Sequence, residues 1–259
     1  MEGWKQQFSW GEHANVDSKD YTKWNGWWFP RWDQHFIQHM KSKGMQTYQG
    51  VARQRSIDLV NANNLRDNLG GLTCIDVGAN VGLWARDFAK NFLYLHAFEP
   101  LAENRICFAR NMPSRGVETA IWSLYPFALG SCPGTAQFYI DPNCCGNAGL
   151  SAEGVRNGPS KLKPTELKEI TVEIKTLDSF KFVGVDLIKI DAEGSEHDVI
   201  LGALETIKKY KPVLCLELPT RNAFDQQKFN QVESSILPLG YKLVDTIGKD
   251  TIWQVPTQN

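Results

Sequence analysis

From residue 72 onward, short apolar runs rich in β-formers alternate with segments whose apolar residues recur every three to four positions. "LTCIDVG" (72–78) reads as a buried strand that breaks into a glycine turn. "LWARDFAKNF" (83–92) then sets Trp84, Phe88 and Phe92 on one helical stripe, with Ala85 and Ala89 beside them. "LYLHAFEP" (93–100) predicts a second strand closed by Pro100, "LAENRICFARNM" (101–112) a second helix, and "IWSLYPFALG" (121–130) contains a third strand. Residues 131–186 are less regular. "TAQFYI" (135–140) and "TVEIKTL" (171–177) alternate like exposed or edge strands, on either side of a Gly-, Asn- and Pro-rich loop at 141–160 that could border a substrate site. Order returns with the strand "VDLIKID" (185–191), the helix "SEHDVILGALETIKKY" (195–210) and the strand "PVLCLEL" (212–218). That helix opens on a capping-box-like pair, Ser195 and Asp198, and buries Val199, Ile200, Ala203, Leu204 and Ile207. A helix around 223–237 follows, and "YKLVDTI" (241–247) and "DTIWQV" (250–255) flank a Gly-Lys turn, which predicts an antiparallel hairpin.

Strand–helix alternation of this kind implies right-handed crossovers and a mostly parallel α/β sheet with helices on both faces. The N-terminal part differs. Six of the nine tryptophans fall at positions 4, 10, 24, 27, 28 and 32, before the helix expected from "QRSIDLVNANNL" (54–65). The rings of "YTKWNGWWFPRWDQHF" (21–36) have two readings: they stack on a sugar or nucleobase and seal a cleft, or they dock this segment onto the core. The expected organisation is an aromatic-rich extension over 1–65 and a main domain over 66–259.

Composition narrows the partners. A chain of 259 residues with 42% hydrophobic and 22% charged residues can bury a full core, and a formal net charge of −1 gives no overall attraction for nucleic acid or anionic membranes. Small or neutral substrates are therefore expected, and no nucleic-acid partner. Six cysteines lack C-x-x-C and zinc-finger spacing, which suits free thiols in a reducing compartment. The opening residues lack the basic-then-apolar order of a signal peptide, and no apolar run is long enough to span a bilayer, so a cytoplasmic location is expected.

The chemistry gathers where strands end. In an open parallel sheet, ligands bind at the carboxyl ends of the strands, where helices begin. "DVGANVG" (76–82) sits at such an end, with Gly78 and Gly82 permitting a tight turn and close backbone approach. Glu99 ends the next strand, about where an acidic residue grips a ribose diol. A nicotinamide fingerprint would need glycine at 80 and 83, where the chain has Asn80 and Leu83. Asn80, with Asp76 at the strand's end, better suits a cofactor that lacks a pyrophosphate and carries an ammonium group: S-adenosylmethionine.

"IDVGANVGLWARDFA", "AFEPLAENRICFARN", "FALG", "IKTLDSF", "IKIDAEGSEHDVILGA" and "KPVLCLEL" together resemble the FkbM family of S-adenosylmethionine-dependent methyltransferases over about 72–218. The resemblance implies the seven-stranded, Rossmann-like class I methyltransferase fold and O-methylation, most often of a sugar hydroxyl. The cofactor-binding set is then Asp76, Gly78, Ala79, Asn80, Gly82, Glu99, Pro100 and Leu129. Asp191 and Glu217 end adjacent strands, so both carboxylates should face one cleft. Methyl transfer to a weakly acidic hydroxyl needs a base, a metal, or both. In one version Asp191 or Glu193 is a base and His197 assists; in the other Asp191 and Glu217 help to hold Mg²⁺. The metal-free version is preferred because no third protein ligand is evident. Glu196 reads as a helix-dipole carboxylate, and Lys189 as a neutraliser of Asp191. A non-catalytic glycan- or partner-binding protein on this fold is the alternative from another class.

Overall fold

The computed structural model describes residues 18–44, 47–63, 71–112, 120–156, 166–220 and 222–256. Trp4, Trp10, residues 64–65 of the expected first helix and residues 157–160 of the expected loop lie outside them. A hairpin, β1 (Tyr21–Trp24) and β2 (Trp27–Pro30), leads into helices α1 (His35–Lys43) and α2 (Gly50–Asn63). The alternating part follows as β3 (Thr73–Val77), α3 (Leu83–Phe88), β4 (Tyr94–Phe98), α4 (Ala102–Asn111) and β5 (Ile121–Tyr125). An intervening region holds β6 (Ala128–Leu129), β7 (Gly134–Asp141), β8 (Cys144–Gly149), α5 (Ala152–Arg156) and β9 (Lys168–Lys175). The chain then adds β10 (Val185–Ile190), α6 (Glu196–Leu201), α7 (Leu204–Tyr210), β11 (Val213–Glu217), α8 (Ala223–Ile236), β12 (Lys242–Ile247) and β13 (Asp250–Gln254).

Seven strands form the central sheet, in the order β12, β13, β11, β10, β3, β4, β5. The pairs from β11 to β5 are parallel, whereas β13 runs antiparallel to β11 and β12, so the sheet is mixed in the way the C-terminal hairpin requires. Side chains alternate across it. Ile75, Ile188, Ile190, Leu214 and Leu216 pack on α6, α7 and α8 through Val199, Ile207, Val232 and Ile236. Cys74, Leu187 and Cys215 pack the opposite face against Ile57, Val60, Trp84 and Phe88. The helix that the boundary at 65 assigns to the extension is thus built into the core of the sheet, and it begins at Gly50, four residues before the expected start.

The run 121–130 contains its expected strand, β5, and after Pro126 adds the two-residue β6, which pairs with β9 in a separate four-stranded sheet of order β6, β9, β7, β8. Three local expectations are corrected. The expected loop at 141–160 contains β8 and α5. β8 has no β-branched residue, so nothing in its own sequence favours a strand, and tertiary contacts supply the structure. The helix over 195–210 is broken into α6 and α7 at Gly202, where an added Cβ would lie 2.0 Å from the carbonyl oxygen of Gly130. Ser195 makes no side-chain capping bond; Glu196 instead accepts from the backbone N–H groups of Ala192 and Gly194, at 3.0 Å each, and so braces the loop before the helix.

The tryptophan hairpin docks on α4. Phe29, Phe36 and Val81 form a core with Ile106 and Cys107. Trp27 lies 4.7 Å from the Arg86 guanidinium, and Trp28 lies 4.7 Å from that of Arg110. The Trp28 amide donates to Asn111 Oδ1 at 2.6 Å, and Asn111 Nδ2 donates to the carbonyl oxygens of Trp28 and Val81. Of the two readings of these rings, the geometry is that of docking. The cysteines are all free, and only Cys132 is exposed. Among the described residues, no helix is long and apolar enough to cross a membrane.

Candidate active site

The ends of β3 and β10 touch. Gly78 has φ of 73°, and a Cβ there would lie 1.9 Å from the carbonyl oxygen of Asp191, so only glycine fits this turn. The Asp191 amide donates to the carbonyl oxygen of Val77 at 3.1 Å, which locks the two strand ends together. Asn80, also left-handed at φ 49°, donates its backbone N–H to Glu99 Oε2 at 2.9 Å, and the Leu101 N–H donates to Glu99 Oε1 at 2.8 Å. Burial pushes the Glu99 carboxyl up to about 7 against the pull of these two donors.

Two compartments meet at Gly78 and Asp191. One, of about 400 Å³, has apolar walls from Phe98, Pro100, Phe127, Leu129 and Leu150, with Glu99 as its buried carboxylate. The other, of about 500 Å³, lies between the Gly78–Asn80 turn and a group of charged side chains: Lys189, Asp191, Glu193, Glu217 and Lys249. His35, Phe36, Tyr48 and Gln49 close it from the N-terminal side. Asp33 positions that wall by accepting from the N–H groups of Phe36 and Cys145, at 2.8 Å each, which pins α1 to β8.

The charges are interlocked. Lys189 is buried; its Nζ stands 3.2 Å from Asp76 Oδ1 and 3.7 Å from Asp191 Oδ2, and it donates to the Gly78 carbonyl oxygen at 2.9 Å. Burial works against the ammonium, but Asp76 and Asp191 outweigh it and hold its pKa above the ordinary lysine value. Glu217 receives Lys249 Nζ at 2.8 Å on Oε1 and Gln49 Nε2 at 3.0 Å on Oε2. The Asp191 carboxyl is raised well above the usual carboxylate range by burial and then by the charge of Glu217, and Glu193 is raised by burial and then by Asp191. Asp250 is pushed up to about 7 for the same two kinds of reason.

The structure brings Gly78, Ala79, Asn80, Glu99, Pro100, Leu129, Asp191, Glu193 and Glu217 to these compartments, and leaves three expected residues outside. Asp76 is fully buried beneath the turn against Lys189, because its strand position points it into the face that packs on α2 and α3. Gly82 caps the start of α3 at φ 90° with its α-carbon facing Phe108. His197 turns toward α8, where Nε2 lies 3.0 Å from Ser235 Oγ. Gln49 and Tyr48 were not visible as site residues, since they arrive from an element remote in sequence, whereas Asn147 belongs to the 141–160 stretch expected to border a substrate site. Lys249 had a usable signal: an antiparallel β13 beside β11 must bring the Gly-Lys turn to the end that carries Glu217. Among the described residues, no group of three or more His, Cys, Asp or Glu side chains is arranged to hold a metal ion.

The sequence pattern of the methyltransferase FkbM domain matches residues 76–243. Methyltransferase 1 of Beauveria bassiana (strain ARSEF 2860) is 27% identical over 143 residues, covering 49% of this chain and 57% of that protein, so the chain spans little more than half of that relative. Among solved structures, the methyltransferase FkbM of Methylobacillus flagellatus KT aligns with a TM-score of 0.47 at 13% identity, over 94% of this chain and 64% of its own. TYW2 of M. jannaschii in complex with AdoMet aligns with a TM-score of 0.36 at 12% identity, over 91% of this chain and 86% of its own.

Proposed function

This chain belongs to the FkbM methyltransferase family, and from that premise we propose that it transfers a methyl group from S-adenosylmethionine to a hydroxyl oxygen of a small or glycan acceptor, with Asp191 as the base. The observation that carries the reading is the meeting of an apolar compartment and a carboxylate-rich one at Gly78 and Asp191. The apolar compartment suits a nucleoside: each oxygen of Glu99 accepts one backbone N–H and keeps a second lone pair for a ribose hydroxyl. When bound, the cofactor supplies an electrophilic methyl group on a sulfonium.

The chain's own residues do the rest. Asp191 keeps 21% of its side chain open to the cleft, and its strengthened hold on a proton makes it a better base toward a hydroxyl than an ordinary carboxylate. Lys189 balances the charge behind it, and Glu193 stands ready to receive a hydroxyl hydrogen bond. Phe36, Tyr48 and Trp84 narrow the cleft and limit water around the reacting oxygen. Glu217 already holds the Lys249 ammonium at 2.8 Å, and that positive charge opposes a metal cation beside it, so Glu217 is better read as a support, which favours the metal-free route.

Calorimetry with S-adenosylmethionine, S-adenosylhomocysteine and NAD, followed by an assay for released S-adenosylhomocysteine across sugar nucleotides, glycolipids and glycans, tests the proposal. Preferential binding of NAD would sink it. Tight glycan binding with no turnover anywhere in the panel would favour the binding-protein alternative.

A further inference from the structure

Asn147, on β8, is 1% exposed and lines the carboxylate-rich compartment. Its Nδ2 donates to Asp141 Oδ2 at 3.0 Å and to the carbonyl oxygen of Val155 at 2.8 Å. Both partners can only accept, so the amide cannot be flipped and Oδ1 is committed to accepting. Yet Oδ1 is buried and has no hydrogen-bond partner. A native protein rarely leaves such an acceptor unmatched, because the lost hydration is not repaid, and an unmatched one beside a cavity points to a donor that arrives with a ligand.

The surroundings define that donor. β8 crosses the mouth of the turn after β3: a Cβ on Gly146 would lie 2.9 Å from Asn80 Nδ2, and one on Gly149 would lie 3.0 Å from the Ala192 carbonyl oxygen. Cys144, Gly146 and Asn147 line one compartment, whereas Ala148, Gly149 and Leu150 line the other, so the ligand that spans both passes along this strand. Asp191, Glu193 and Glu217 face the compartment beside Lys189 and Lys249, and burial and mutual repulsion hold Asp191 and Glu193 toward their protonated forms; an arriving cation relieves that repulsion, which favours a cationic donor over a neutral one.

We infer that Asn147 is a cofactor-binding residue whose Oδ1 accepts a hydrogen bond from the α-ammonium group of the amino-acid portion of the S-adenosyl cofactor. This rests on the reading of the cleft as an S-adenosylmethionine site. The bond gives the cofactor's amino-acid end a fixed partner on the wall opposite the Gly78–Asn80 turn.

The test is a cycle between one side chain and one ligand group, by calorimetry. S-adenosylhomocysteine and its analogue with hydrogen in place of the α-amino group are titrated into the wild type and Asn147→Ala. The variant should bind S-adenosylhomocysteine at least tenfold more weakly, with less than a twofold change for the deaminated analogue. Equal weakening of both ligands would assign Asn147 a scaffold role and overturn the inference, as would unchanged affinity for both. Absence of S-adenosylhomocysteine binding by the wild type would instead bring down the cofactor reading itself. If Asn147→Ala fails to fold, the side-chain amide resonance of Asn147 in the labelled wild-type protein should shift with S-adenosylhomocysteine and not with the analogue; equal shifts with both would overturn the inference.

Discussion

The indole Nε1 of Trp84 donates to Oε1 of Gln49 at 2.7 Å, and that bond decides which end of the Gln49 amide faces Glu217. With its oxygen held, the amide must aim Nε2 at Glu217 Oε2, and it does so from a left-handed backbone at φ 51°. Gln49→Glu preserves the indole bond but places a carboxylate oxygen against Glu217. The repulsion exists only when both groups are ionised, so it raises the pKa of the new carboxyl in the folded protein. Stability relative to the wild type should hold near pH 4 and fall as pH rises to 8, by about 1–3 kcal/mol. Urea unfolding at both pH values reads the difference, and a pH-independent loss would show that Gln49 matters only for packing.

Asp191→Asn retains size and removes the charge that takes the proton. Turnover of any acceptor found in the panel should fall by about a hundredfold or more, with folding preserved. The variant is compared with wild type in EDTA. Loss of wild-type activity in EDTA, restored by Mg²⁺, would favour the metal version, and normal turnover by Asp191→Asn would remove Asp191 from the chemistry.

Glu99 makes cofactor affinity depend on pH. Its carboxyl sits at about 7 in the free protein, and two ribose hydroxyl donors would favour the ionised form and lower that pKa in the complex. Binding therefore releases a proton near neutrality. Affinity for S-adenosylhomocysteine should rise from pH 5.5 to 8, by no more than about tenfold per pH unit, and level off above. Calorimetry in buffers of different ionisation enthalpy measures the released proton directly; proton uptake would contradict the placement of Glu99 on the ribose.

Trp27 and Trp28 should matter for stability more than for substrate. Trp28→Ala removes a ring that covers Arg110 and leans on α4, at a cost of about 1–3 kcal/mol. Its melting temperature should drop while the acceptor KM stays within twofold. A raised KM at unchanged stability would restore these rings to the cleft.

How much was legible follows from where each residue's partners lie. Gly78, Asn80, Glu99, Asp191 and Glu217 could be read from sequence because buried strand ends locate themselves: the apolar run stops, and polar residues and glycines follow at the cleft. Helix phase was less forgiving. Glu196 and His197 are neighbours in sequence, but each residue turns about 100° around a helix, so one folds back on the 192–194 loop and the other faces Ser235. β8 and Gln49 were illegible because their conformations are imposed by groups far along the chain, and no local preference marks them.

The bond from Gln49 to Glu217 joins residues 168 positions apart, and the approach of Gln49 to Asp250 joins residues 201 positions apart. Contacts of such separation are slow to form, since most of the closure entropy is spent before they hold anything. On the ribosome, β3, β4, β5 and β10 can pair as they emerge, but β11 has an open edge and Glu217 lacks Lys249 until β13 has been made. The scaffold can therefore precede the site during synthesis, and a stalled nascent chain ending before residue 249 would carry most of the parallel sheet and the Lys189, Asp76 and Asp191 group, but with Glu217 still lacking its ammonium partner.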